Sequence, residues 1–197
     1  MSALPKRRYT LDEYFALERD SSIKHEYLAG EILMMAGSSP EHDRIVGDVQ
    51  TSLNMQLRGR PCETFTGDMR VRASADSFVY PDLSVVCGEA QFLTVDGVAN
   101  LLNPIVLIEV TSPSTGHYDR TGKFWRYQML DSLREYVLIE QGQPIVEIFR
   151  HRGDGDWRYT RVEGLDATVA LNSIESTLAL SEVYRRVSLS GPGEAQS

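Results

Sequence analysis

The chain has 197 residues, 42% of them apolar, which suffices for one hydrophobic core without covalent staples. Its 20 Lys and Arg against 28 Asp and Glu give a net charge of −8, the wrong sign for a protein that holds nucleic acid by bulk charge. No apolar run is long enough for a membrane span. The first residues lack the apolar stretch of a secretory signal. Cys62 and Cys87 form no CxxC pair and are read as free thiols in a reducing cytoplasm.

Residues 1–8 read as a flexible basic lead-in, residues 9–188 as one domain and residues 189–197 as a disordered tail. Thr10 with Glu13 forms a capping-box pattern and opens a helix to about Glu18. Residues 24–35 alternate about Ala29-Gly30 and predict a hairpin. Ser39-Pro40 starts a second helix with Ile45, Val49, Leu53 and Leu57 at helical spacing, ended by Gly59 and Pro61.

Alternation predicts strands over residues 64–72 and 79–87, and the apolar run over 105–111 predicts a central strand buried on both faces. A helix is expected over 119–133, a strand over 136–140, and a hairpin of residues 145–151 and 157–162 across Gly153-Asp154-Gly155. A short helix over 181–186 follows. The order implies an α/β architecture on a mixed sheet, with strands 64–72, 79–87, 105–111 and 136–140 together.

Asp82 and Glu109 each interrupt an otherwise apolar strand. A buried carboxylate needs a proton, a cation or a metal. Two carboxylates on neighbouring strands repel, and a divalent ion removes the repulsion. Oxygen-only ligands favour Mg²⁺ or Mn²⁺ over zinc, and the four histidines show no zinc spacing. The simpler reading of Asp82 is a solvent-facing acid or a partner of Arg70 or Arg72.

Pro81-Asp82 followed by Glu109-Val110-Thr111 resembles the PD-(D/E)xK nuclease superfamily. The wider run is similar to the Uma-two family of bacterial restriction-endonuclease-like proteins. It comprises Glu26-Tyr27, Gly30-Glu31, Pro40, His42, Asp68, Pro81-Asp82, Glu109-Val110, Ser112-Pro113-Ser114-Thr115, Asp119, Lys123 and Tyr127. The resemblance implies a restriction-endonuclease-like mixed sheet flanked by helices, with an extra N-terminal helix and hairpin and a C-terminal hairpin.

The same resemblance implies a metal held by Asp82, Glu109 and the Val110 carbonyl. DNA is the implied substrate and a homodimer the implied assembly. The superfamily places a lysine where this chain has Thr111, and the family likeness implies that Lys123 replaces it. Asp119, Lys123 and Tyr127 then share a helix face. Ser112 and Tyr127 are expected to support the site, with Glu31, Glu41, His42 and Asp68 as further candidates. An ordinary Asp119–Lys123 salt bridge stays open as the alternative. So do a catalytically weak or silent binding module, an interaction protein and a small-molecule phosphatase.

Overall fold

The structure is a computed structural model that describes residues 7–35, 37–113, 115–153 and 155–189. Helix α1 (Leu11–Asp20) begins at Thr10, whose hydroxyl accepts the Glu13 amide at 3.2 Å while the Glu13 carboxylate accepts the Thr10 amide at 2.8 Å. Both halves of the capping box are therefore formed. Arg7 reaches Glu13 at 2.8 Å and Arg8 donates to the Ala29 carbonyl at 2.9 Å, so these two residues are tied to the fold and are not a loose lead-in. Residues 1–6 and 190–197 lie outside the described residues, as do Ser114 and Asp154 of the motifs above.

Strands β1 (His25–Leu28) and β2 (Glu31–Met34) make the expected hairpin, and Ala29 and Gly30 both take positive φ, 49° and 93°. Two successive left-handed residues match the twist of a two-residue hairpin turn. Helix α2 (Pro40–Leu57) is capped by Ser39, with Pro40 in its first turn and Ile45, Val49, Leu53 and Leu57 on its buried face.

The remaining chain contributes β3 (Cys62–Thr66), β4 (Arg70–Ser74), β5 (Ser77–Val79), β6 (Leu83–Cys87), β7 (Phe92–Val95), β8 (Val98–Leu101) and β9 (Val106–Thr111). Then come α3 (Gly116–Tyr118), a π-turn (Asp119–Lys123), α4 (Phe124–Tyr127), β10 (Glu135–Glu140), β11 (Ile145–His151), β12 (Trp157–Glu163), β13 (Thr168–Leu171), β14 (Ser176–Ala179) and α5 (Leu180–Val183).

Two six-stranded mixed sheets result, ordered β2-β1-β5-β4-β8-β7 and β12-β11-β10-β9-β6-β3, with β13-β14 as a separate pair. One core packs α2, α5 and the β13-β14 pair on one face of the second sheet, through Leu53, Ile108, Val137 and Leu178. Another lies between the sheets and includes Val71, Leu107, Tyr127 and Tyr136. A third seats Tyr14 and Phe15 of α1 against Tyr27 and Phe78.

Segments 62–66, 83–87, 106–111 and 135–140 do share one sheet, yet the expected strands 64–72 and 79–87 are each broken in two. A turn at Gly67-Asp68 sends β4 into the first sheet. Pro81, which has no amide hydrogen, ends β5 before β6 begins. The helix expected over 119–133 stops at Tyr127, and residues 130 and 133 are buried from turns instead. The β7-β8 hairpin was not expected, although its Asp96-Gly97 turn, with φ of 50° and 81°, is a recognisable two-residue signal.

The free-thiol reading of the cysteines is corrected. Cys62 and Cys87 stand opposite each other in the β3-β6 register, Cα atoms 4.0 Å apart, and form a disulfide. Sequence separation says nothing of register, which here supplies the proximity. The cystine removes the support that free thiols gave to a reducing compartment. Among the described residues no helix is long and apolar enough to cross a membrane.

Asp48 of α2 clamps the C-terminal end. Its buried carboxylate receives Arg185 at 2.8 Å and Arg186 at 3.0 Å. Burial by itself would raise its pKa, but the two guanidinium groups outweigh burial and hold it below the usual carboxylate value. The clamp's contribution is therefore complete above the unfolded-state value and is lost as pH falls through the lower folded one. Asp48→Asn is expected to lose about 1 kcal/mol at neutral pH, discounted for the half-exposed arginines. Urea unfolding at neutral pH and at a pH well below the usual carboxylate value should show that loss shrink in acid. An equal loss at both pH values would contradict the clamp.

Candidate active site

The polar site lies between the two sheets. Glu26 of β1 comes from the first sheet and Glu109 of β9 from the second, and Lys123 at the end of the π-turn joins them. Lys123 Nζ stands 3.1 Å from Glu26 Oε1, 3.0 Å from Glu109 Oε1 and 3.9 Å from Asp119 Oδ1. All four side chains are buried. Tyr127 donates its hydroxyl to Glu109 Oε1 at 2.7 Å, and Tyr118 donates to Glu26 Oε2 at 3.2 Å. The Tyr118 ring lies over Gly122, where a Cβ would stand 2.8 Å from it, so this position requires glycine.

Asp82 enters from the chain just before β6. Its Oδ2 accepts the Val110 amide at 2.7 Å and faces His42 Nε2 at 3.1 Å. The Gln141 amide donates to the Thr111 carbonyl at 3.0 Å, so alternate residues from Thr111 face β10. Val110 then turns its amide and its carbonyl toward the opposite edge, where β6 has ended and Asp82 stands. The sequence thus breaks one strand at Pro81 and leaves a backbone carbonyl beside an acid.

Burial pushes the Glu109 carboxyl well above the usual range. Lys123 opposes that shift, and Asp82, Asp119 and Glu26 reinforce it. Asp119 is raised in the same sense by burial, against Lys123 and a Thr115 hydrogen bond. Burial alone would lower Lys123, but Glu109, Glu26, Asp119 and Asp82 together outweigh it and hold the ammonium charged. For His42 burial also lowers the pKa, and the Asp82 hydrogen bond and charge outweigh it, so the ring is raised. Burial beside Glu109 keeps the Tyr127 hydroxyl protonated and able to donate.

The structure brings together Asp82, Glu109, Val110, Lys123, Asp119, Tyr127 and His42. The remaining candidates have other partners. Asp68 is exposed and paired with Lys24, in a turn whose Gly67 lies against the Asp82 backbone. Glu41 pairs with Arg44 at 3.3 Å on the surface of α2. Glu31 lies at the turn end of β2, opposite Leu28, two register steps from Glu26. Ser112 forms a turn with Thr115, whose hydroxyl accepts its amide at 3.1 Å, at the entrance to α3. Arg70, weighed as a partner for Asp82, is in the first sheet against Asn100.

Glu26 is the acid that reading along the chain undervalued. Its neighbours Tyr27 and Leu28 are buried, and a carboxylate in such a strand was the available signal. The Asp119–Lys123 contact exists but is the longest of the three to Lys123, so a plain helix-surface salt bridge does not describe this lysine.

The donor set can be compared with what a divalent ion needs. Among the described residues no three His, Cys, Asp or Glu side chains converge closely enough to cage a metal unaided. Magnesium needs less than a cage: one or two carboxylates suffice, with waters and substrate oxygens completing the octahedron. The hydrogen bonds of Asp82 fall on Oδ2 and those of Glu109 on Oε1, which leaves one oxygen of each, with the Val110 carbonyl, as hard donors.

Lys123→Met should cost about 3–5 kcal/mol, because it strands Glu26 and Glu109 without their cation. Lys123→Met with Glu109→Gln should recover part of that loss. Chemical denaturation of the two variants measures it. A Lys123→Met protein as stable as the wild type would show that the lysine is not the counterion of the acids.

Comparison with known proteins places this geometry. The family Uma2, described as "Putative restriction endonuclease", matches residues 11–182. Uncharacterized protein sll1609 of Synechocystis sp. is 34% identical over 161 residues, covering 81% of this chain and 90% of that protein. Uncharacterized protein slr1290 of the same organism is 30% identical over 187 residues, covering 92% and 94%. The crystal structure of a putative nuclease belonging to DUF820 from Anabaena variabilis superposes with a TM-score of 0.72 at 20% identity, covering 90% of this chain and 98% of that one. At that identity the likeness carries the fold, which is nuclease-like. By its sequence and its architecture, the chain belongs to the Uma2 family of restriction-endonuclease-like proteins.

Proposed function

We propose that the protein is a Mg²⁺- or Mn²⁺-dependent endonuclease acting on DNA. One observation carries the reading: three buried carboxylates, Glu26, Glu109 and Asp119, lie within 4.0 Å of a single buried ammonium, Lys123, and a fourth, Asp82, stands close enough to act on it by charge. The excess of negative charge is costly in a buried site, and a divalent cation at Asp82 and Glu109 offsets it. Asp82, Glu109 and the Val110 carbonyl would hold the ion. When bound, it would polarise a phosphate and lower the pKa of a water for in-line attack.

The chain's own groups have distinct parts. Val110 N–H and His42 fix the Asp82 carboxylate in place. Tyr127 and Lys123 orient Glu109. Lys123 supplies positive charge beside the reacting phosphate, which stabilises charge that grows in the transition state. Self-association belongs to the same proposal, through β12 at the edge of the second sheet.

Millimolar Mg²⁺ or Mn²⁺ is expected to raise the melting temperature of the wild type by mass action. The rise should be absent in Asp82→Asn; an equal rise in both would place the ion elsewhere. In plasmid nicking with Mn²⁺, run well below the melting point of each variant, Lys123→Ala should cut about a hundredfold more slowly or worse. Wild-type cutting by that variant would remove Lys123 from catalysis. Metal binding without any cutting by the wild type would instead favour a silent nuclease-fold binding module. A monomer mass by light scattering would remove the self-association.

A further inference from the structure

Between α1, the chain entering β1 and the β7-β8 hairpin lies a cavity of about 190 Å³, whose wall residue Tyr80 adjoins the acidic site by donating its amide to Glu26 Oε1 at 3.1 Å. Arg70 of β4 lines it and is almost wholly buried, at 2% exposure. Its Nε donates to Asn100 Oδ1 at 2.5 Å and its Nη1 to the Tyr14 hydroxyl at 3.4 Å. The guanidinium also lies over three aromatic rings, 5.5 Å from Tyr14, 5.1 Å from Phe15 and 5.7 Å from Phe78. Among the described residues no carboxylate comes within 4.0 Å of it, and Nη2 takes part in none of these bonds.

Such a placement is expensive. A buried charge is ordinarily met by an opposite charge, and rings and neutral acceptors offset only part of the cost. The other charged groups that line the cavity are already engaged. Glu18 accepts the Tyr80 hydroxyl at 2.7 Å and the His25 amide at 3.0 Å. Arg19 pairs with Asp96 at 3.2 Å, and Lys24 with Asp68. Among the described residues Arg70 is therefore the one cationic side chain of the cavity that forms no ion pair, and the Glu18 carboxylate across the wall is held by hydrogen-bond donors rather than by Lys or Arg. The rest of the wall is largely apolar, through Phe15, Ile23, Val95 and Val98.

We infer that this cavity binds a small monocarboxylate with a compact apolar body, its carboxylate on the Arg70 guanidinium and its body against Phe15, Ile23, Val95 and Val98. The planar fork matches a carboxylate, and a low-dielectric surrounding strengthens the attraction. Glu18 and Asp96 in the wall disfavour a second negative charge, which selects a monoanion over a phosphate dianion. The volume is below that of a drug-sized pocket and suits a small ring or a short chain. The inference does not rest on the nuclease reading: no acid of the cluster lines the cavity, although its wall residue Tyr80 donates its amide to Glu26.

Benzoate is the probe, titrated into the full chain by calorimetry and melting, with benzamide and inorganic phosphate alongside. Benzoate should bind one to one and raise the melting temperature. Benzamide, equal in shape and uncharged, should bind at least about tenfold more weakly, and phosphate more weakly than benzoate. Arg70→Met should abolish benzoate binding and, free of the unpaired charge, should melt no lower than the wild type. Should Arg70→Met fail to fold, Val98→Trp fills the cavity from its rim without touching the charge. It should lose benzoate while melting near the wild-type temperature. The inference is overturned if the wild type takes up no benzoate, if benzamide or phosphate binds as well as benzoate, or if Val98→Trp binds it like the wild type.

Discussion

The buried ammonium of Lys123 is the contact on which the polar interior depends. It touches Glu26 from one sheet and Glu109 from the other, so the two sheets meet through a charge as well as through the apolar layer of Val71, Leu107 and Tyr136. Neither acid could be buried there alone, because an unpaired carboxylate is far more costly than the apolar residue it displaces. The lysine in turn is stable only because acids surround it. Each partner makes the other's burial tolerable, and the cluster still carries more negative than positive charge.

The π-turn delivers that lysine. One extra residue in the turn from Asp119 to Lys123 lies between α3 and α4, and the short helical run ends at Tyr127. Such wide turns commonly mark functional positions. Here Lys123 and Tyr127 converge on the same oxygen of Glu109, and Gly122 lets the Tyr118 ring lie close enough for its hydroxyl to reach Glu26. The helix is short because its work is local: it presents three side chains to one acid pair rather than a long stripe to a core.

The second device is the interruption at Pro81. A continuous strand there would pair its amide groups along β9 and close the edge beside Val110. Proline ends the ladder, Asp82 occupies the gap, and its carboxylate takes the Val110 amide that a strand would have taken. The same interruption separates the sheets, since β5 belongs to one and β6 to the other. Strand break, sheet crossing and acid placement are thus one feature of the chain.

Much of this was legible along the chain. The capping box at Thr10, the Ala29-Gly30 turn, the stripe from Ile45 to Leu57 and the apolar run around Glu109 are local patterns, set by neighbours a few residues apart. Asp82 and Glu109 were identifiable because acids in apolar strands violate those patterns, and Lys123 was implied by the family resemblance, with Asp119 and Tyr127 at helical spacing from it. The recruitment of Glu26, the removal of Asp68 to a surface pair, the Cys62–Cys87 bond and the split of residues 64–74 between two sheets were not. Each depends on which strands become neighbours and in what register. Alternation fixes only which face of a strand is buried; which strand lies opposite is settled by packing between segments far apart in sequence.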